Sequence, residues 1–299
     1  MADIRSSLLK TLTFHETWGH APTRVEWVTT LEGESGMHRE DVEHEIDAMM
    51  REGKIVEHMG RVSFPESVTR IEGMIENEIF APRKRRVARA AARWLVRLAG
   101  VRFVALCNTN ALGHASDGSD LDFFIVTRAG TIAQTRVLAT LPYKLLGRRP
   151  SGGDERDTVC LSYFVADNGL DLSSHMLTPD DPYFRYWFLS MVPLFDDGVS
   201  RALWDANKAI TSRHPFATRW AISPAFEVAK PSVRLPSFSF LERVATKLQD
   251  KAFPQPIREL KNRDTRVLVT EKALKFHVTD GREDYRRDYQ LTMRRRGLV

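Results

Sequence analysis

Only two of the 299 residues are cysteines, Cys107 and Cys160. That excludes a disulfide framework and a cysteine-based zinc site. Both lie in apolar runs and read as buried structural thiols. No apolar stretch approaches the ~20 residues that cross a bilayer, and the first residues lack the basic, then apolar, then small-residue order of a secretory leader. The expectation is a cytoplasmic protein with no membrane partner. What remains is ordinary for a folded chain, with 42% hydrophobic and 28% charged residues, and the length allows two or three domains.

Charge is unevenly placed. Residues 1–65 carry a net −5 and residues 66–299 a net +10, so the two parts call for separate explanations. In the acidic part, Ile4, Leu8, Leu9 and Leu12 form one helical stripe, and Val42, Ile46, Met49 and Met50 form another. Thr23 and Glu26 have the spacing of a capping box ahead of Val25, Trp27, Val28 and Leu31. Lys54–Glu57 and Arg61–Phe64 flank Met59-Gly60 as a short hairpin. Three helices and a hairpin predict a winged helix-turn-helix domain over residues 1–65. Many such domains bind DNA through the third helix. Here that helix carries Glu40, Asp41, Glu43, Glu45 and Asp47, whereas phosphates need cations. The sequence therefore argues for packing or protein contact and against DNA.

Residues 66–100 read as helical and concentrate Arg83, Lys84, Arg85, Arg86, Arg89, Arg93 and Arg97. The run is either a solvated helix face or a surface for an anionic partner. Apolar runs at 101–107, 121–127 and 158–165 read as strands, with a helix from Thr131 to Leu146. The glycine-rich stretch 147–153 reads as a mobile loop. Residues 181–211 and 238–253 read as helices, Val267–Val269 as a short strand, and the end as a basic helical tail with Arg286, Arg287 and Arg294–Arg296. The overall expectation is an α+β chain. It has a winged helix at 1–65, a central α/β unit at 66–175 and a mainly helical region at 176–299.

The chemistry concentrates at Asp120 and Asp122. Acids at i and i+2 of a strand share a face, less than roughly 7 Å apart. Carboxylates that close repel unless a cation separates them. Oxygen ligands favour a hard ion such as Mg²⁺, which completes its shell with water and substrate phosphates. The bland alternative is an edge strand with both acids facing water.

A strand ends at Cys107, Asn108-Thr109 opens a turn, and ten residues later Asp120-Leu121-Asp122-Phe123 begins the next strand. This layout resembles the nucleotidyltransferase superfamily that includes DNA polymerase beta, over about residues 101–165. Ser119-Asp120-Leu121-Asp122 is also similar to the Ser-Asp-x-Asp of its small bacterial members. A softer, longer resemblance is to uncharacterised bacterial and archaeal nucleotidyltransferase-domain proteins. It rests on the winged-helix start, Cys160-Leu161-Ser162-Tyr163-Phe164 and Lys275-Phe276-His277.

The resemblance implies a polymerase-beta-like α/β domain at 66–175 with its basic leading helix. It implies transfer of NMP from an NTP, ATP first, to a hydroxyl acceptor, which could be a small molecule, a protein or an RNA end. Asp120 and Asp122 would hold Mg²⁺. Asn108, Thr109 and Ser119 would contact the nucleotide phosphates. The family's Gly-Ser is Asn108-Thr109 here, and Asn is among the residues that best tolerate positive φ. The family's third carboxylate comes from a later strand, but 158–165 contains no acid. Ser162 could occupy its place, and Asp157 is the first substitute as the third catalytic residue, ahead of Asp154, Asp167 and Asp171. His114 reads as a solvated loop histidine or a substrate contact, and His277 as structural. Loss of catalysis with retained binding is the alternative function, followed by a winged-helix DNA regulator.

Overall fold

The computed structural model describes residues 3–148 and 154–299. Of the expected mobile loop at 147–153, residues 149–153 lie outside the described residues.

The chain begins with α1 (Ile4–Thr17), α2 (Arg24–Thr29) and α3 (Arg39–Arg51), followed by a hairpin of β1 (Val56–His58) and β2 (Arg61–Ser63). The capping box forms as its spacing predicts: Thr23 accepts from the Glu26 amide at 3.2 Å, and Glu26 accepts from the Thr23 amide at 2.7 Å. Met59 and Gly60 turn the hairpin with φ of 51° and 74°, the left-handed pair that matches strand twist. Leu8, Trp27, Val42, Ile46 and Val62 bury together as one core.

After α4 (Val68–Glu78) and α5 (Ala81–Leu95) come β3 (Val101–Leu106), a single helical turn α6 (Asn108–Ala111), β4 (Leu121–Thr127), α7 (Ile132–Leu145) and β5 (Val159–Ala166). Then follow α8 (Pro182–Leu189), β6 (Val192–Asp196), α9 (Ser200–Ala206), α10 (Lys208–Thr211), α11 (Ser239–Ala252) and α12 (Gln255–Leu260). The chain closes with β7 (Val267–Val269), β8 (Ala273–Phe276) and α13 (Arg282–Arg295). The architecture is mixed α+β, and no helix among the described residues is long and apolar enough to cross a membrane.

A six-stranded sheet runs in the order β6-β3-β4-β5-β8-β7. β4 and β5 are parallel, and the other pairs are antiparallel. Both faces are covered, which is why the strand segments are apolar runs rather than alternations. On one face Leu121, Phe123, Leu161 and Phe164 pack under α5 and α7. On the other, Phe124, Val126, Tyr163 and Val165 pack under α8 and α9.

The region expected to be mainly helical, 176–299, supplies three strands of this sheet. One of them, β7, matches the expected Val267–Val269. The other two carried no strand signal. β6 is an apolar run of four residues closed by Asp196, which periodicity cannot separate from a buried helix. Its Pro193 fits only because β6 is the edge strand. β8 holds four residues, and its place is fixed by antiparallel pairing with β5, more than a hundred residues away.

Phe164 is fully buried in the centre of the sheet, so Phe164→Ala should cost ~3–5 kcal/mol in denaturant unfolding. Leu145 is 77% exposed, and Leu145→Ala should change stability by no more than ~0.5 kcal/mol. Equal losses at the two positions would contradict the two-faced packing.

Candidate functional site

The end of β3 and the start of β4 are joined by α6 and the loop 112–120. The Cys107 amide donates to the Asp122 carbonyl at 3.0 Å, and the Asn110 side chain donates to the Asp120 carbonyl at 2.7 Å. This stitching sets Asp120 and Asp122 at the mouth of the sheet, on the α8 side. Their carboxylates and the Cys160 thiol offer ligand atoms within 4.8 Å of one another. Burial first, then Asp122 and Glu155, push the Asp120 carboxyl up to about 7. Burial raises Asp122 as well, partly offset by a hydrogen bond from Asn108. Among the described residues, neither acid has a lysine or arginine partner. The nearby cations are engaged elsewhere: Arg83 with Asp117 and Asp157, Lys84 with Asp157, and Arg156 with Asp117.

Asn108 sits at φ 56°, a conformation glycine adopts most freely. Its side chain has a use that glycine could not supply. The amide donates to Asp122 at 2.6 Å, and its oxygen accepts from the Tyr183 hydroxyl at 3.1 Å. Asn108 therefore ties the acid to α8. Thr109 follows in the same helical turn and is half-buried. Ser119 is adjacent to the pair, but its hydroxyl donates to the Ser116 carbonyl at 3.0 Å and its own carbonyl accepts from Lys84.

Asp157 is not brought to the pair. It stands just before β5 and is held by Arg83 at 3.0 Å and Lys84 at 3.1 Å. Two cations on α5 thus neutralise its carboxylate. Asp167 is likewise committed to Arg102, Asp171 to the Ser173 amide and Asp154 to the Arg156 amide. The group nearest the two acids is instead Cys160, which faces Asp122 across the parallel pair. It is half-buried rather than part of the core, unlike Cys107, and burial together with Asp122 raises its thiol well above the usual range.

The β4–β5 register passes from Asp122↔Cys160 to Phe124↔Tyr163, so β5 carries one extra residue. This bulge turns both Ser162 and Tyr163 to the acid side. Cys160 donates to Ser162 at 3.4 Å, and Ser162 meets His277 Nε2 at 3.2 Å. A row of polar side chains thus crosses three strands from Asp122 to His277. Beside it lies a cleft of about 230 Å³, walled by Asp122, Tyr163, Trp187, Lys275 and His277 and closed by the first turn of α13. Tyr163 and Trp187 stack at 5.5 Å. Lys275 is buried, donates to the Thr265 carbonyl at 2.8 Å, and is lowered to about 7 by burial and Arg282. Burial holds His277 near 3, hence neutral.

The Lys-Phe-His motif therefore belongs to the cleft. Only the softer resemblance signalled it, because β8 reaches the site by long-range pairing. His114 does not reach the site and is not solvated. It is buried, stacked on His20 at 5.1 Å and hydrogen-bonded to it at 3.0 Å.

A carboxyl whose folded-state pKa lies above its unfolded value binds more protons in the native state. Stability then falls as pH rises from about 4 to about 7. Metal-free Asp120→Asn should therefore melt above wild type at pH 7.5, by roughly 2–4 °C per kcal/mol of relieved repulsion. The difference should close near pH 4. Equal melting temperatures at both pH values would show that the pair is not strained. No family model, curated protein or solved structure matches this chain.

Proposed function

We propose that the protein is a nucleotidyltransferase that moves NMP from an NTP, ATP first, to a hydroxyl acceptor. The observation that carries this reading is the pair of half-buried carboxylates at the start of β4, without a salt-bridge partner among the described residues, of which Asp122 opens on an aromatic-walled cleft. In this reading β3, β4 and β5 with α6 and α7 form a polymerase-beta-like domain, and residues 1–65 a winged helix. The donor set is two carboxylates with one thiol that burial keeps protonated, so it is a hard oxygen set and fits Mg²⁺. Asp120 and Asp122 would hold the ion, which when bound neutralises phosphate charge.

The chain's own residues do the rest. Asn108 fixes Asp122 against α8. The Tyr163–Trp187 stack offers a flat platform for a base or ring. With no third acid at the pair, Lys275 is the first base to test, since burial lets it exist as the free amine near neutrality. His277, held near 3, is too weak a base for that role.

A second reading, binding without turnover, is favoured by one specific observation: Asp157 is neutralised by Arg83 and Lys84, and Cys160 and Ser162 stand where an acid would complete the site. A DNA-binding winged helix finds less support. The third helix is acidic, and its Glu43, Glu45 and Asp47 take Arg24 and Arg5 as partners, leaving no free cationic face there.

The test is incubation with labelled NTPs, Mg²⁺ and acceptor pools. Wild type should transfer label, and Asp120→Ala/Asp122→Ala should abolish it. Nucleotide binding without transfer, measured by calorimetry, would favour the second reading; absence of both binding and transfer would remove the first two. Lys275→Arg, which keeps the charge but cannot lose a proton, should lower kcat by roughly 10²–10⁴-fold with KM for NTP little changed. An unchanged kcat would remove Lys275 as the base.

A further inference from the structure

Between Glu78 and Asp117 the chain contains no acid, yet eight arginines and lysines. Most of them lie on α5. One side of this helix is apolar, with Ala88, Ala91, Ala92 and Leu95 buried. On the opposite side Arg86, Arg89 and Arg93 fall at i, i+3 and i+7, within about 60° of one another at 100° per residue, and Arg97 follows in the turn just past the helix end. Arg86, Arg93 and Arg97 are exposed. Among the described residues none of the four is paired with an acid, whereas Arg83 and Lys84, in the helix's first turn, are paired with Asp117 and Asp157. The Arg89 Nε–H is buried and has no acceptor. An ordinary solvated helix face interleaves both signs; this one is a row of guanidinium groups about 16 Å long.

The row is also anchored at the site. Lys84 donates to the carbonyls of Asp117 and Ser119, the residues just ahead of Asp120. The first turn of α5 is therefore tied to the loop that precedes Asp120.

We propose that Arg86, Arg89, Arg93 and Arg97 form a track for the phosphate backbone of a single-stranded nucleic acid. Guanidinium groups bind phosphate bidentately and are preferred over lysine where that geometry matters. A single strand suits the track because one row of guanidinium groups on one helix matches one phosphate backbone. Resting on the nucleotidyl-transfer reading, the strand's terminal hydroxyl is the acceptor. Its oxygen bonds to the α-phosphorus, the bond to the β-phosphate oxygen breaks, pyrophosphate leaves and the hydroxyl proton passes to a base.

The test uses the full chain and fluorescent RNA and DNA strands of the same sequence, about 15 nucleotides long, between about 50 and 200 mM salt. Wild type should bind with steep salt dependence. Arg86→Gln/Arg93→Gln/Arg97→Gln should weaken binding at least ~10-fold at low salt and reduce the log–log slope by about 2, the loss of three contacts at about 0.7 each. The exposed triple Arg243→Gln/Lys247→Gln/Lys251→Gln on α11, with the same charge change, should bind like wild type. A preference for RNA or DNA at equal salt identifies the strand.

No binding by wild type, equal losses in the two triples, or polyglutamate binding as tightly as either strand would overturn the track. Asp120→Ala/Asp122→Ala should keep strand binding and lose transfer. A wild-type protein that binds the strand through the arginines but never extends it, while still transferring NMP to another acceptor, would remove the strand as acceptor and leave nucleotidyl transfer in place. If it transfers to no acceptor, the catalytic reading fails and the track stands.

Discussion

Two half-buried carboxylates held close together, without an ion-pair partner among the described residues, are the constraint around which this site is arranged. Such a pair is costly in isolation, because burial and mutual repulsion both disfavour the charged forms. The fold offsets the cost in three ways. Asn108 donates a hydrogen bond to Asp122. The Asn110 and Cys107 contacts fix the backbone of both acids. The remaining strain is taken up by a proton, which is why Asp120 sits near 7 in the metal-free chain. Among the described residues no ion pair forms at the two acids, and the nearby Arg83, Lys84 and Arg156 are held by Asp117 and Asp157.

Local signals in the sequence carried much of this frame and little of what surrounds it. The runs at 101–107, 121–127 and 158–165 are apolar because both sheet faces are covered, and all three are strands. The Thr23–Glu26 spacing and the positive φ of Met59-Gly60 and Asn108 are also local facts, and each is seen in the fold. The third member of the acid group was not legible, for a structural reason. Cys160 in an apolar run looks like core, and only its pairing with Asp122 shows that it faces the acids. The β5 bulge at Ser162-Tyr163 depends on the strand beside it. Lys275 and His277 reach the cleft through β8, whose four residues give no periodic signal. Asp157 looked suitable because it stands at a strand start; the cations that claim it come from α5, more than seventy residues earlier.

The N-terminal helices are not an independent appendage. α1 packs against α13, with Phe14 stacked on Tyr186 at 3.8 Å and the Tyr289 hydroxyl donating to the Lys10 carbonyl. Arg185, almost fully buried, reaches Glu32 at 2.9 Å. His20 bonds to His114, which lies in the loop between α6 and the acids. Burial keeps His114 near 4 and therefore neutral. The loop that carries Asp120 is thus braced from two sides, by α5 through Lys84 and by the N-terminal unit through His20. Arg5 and Arg24 pair with Glu43, Glu45 and Asp47 of α3 within that unit, and bracing is its visible contribution.

This bracing gives the distribution of charge on α5 a physical sense. A helix with arginines on every turn repels itself and would normally recruit acids along its length. Here acids meet it only in its first turn, where Asp117 and Asp157 lock Arg83 and Lys84 onto the loop beside Asp120 and Asp122. Beyond that turn Arg86 and Arg93 are exposed and Arg85 lies over the Phe226 ring, none of them in an ion pair among the described residues. The same acids therefore do two things: they hold α5 in place, and they take the direct ion pairs of its nearest cations, of which Lys84 still lowers the Asp120 carboxyl. Had Arg83 or Lys84 turned fully to the acid pair, the repulsion between its carboxylates would have been relieved. Had acids continued along the helix, the outer row would have been quenched. Negative charge at the carboxylates and positive charge along the helix stay separate because each has been denied an internal partner.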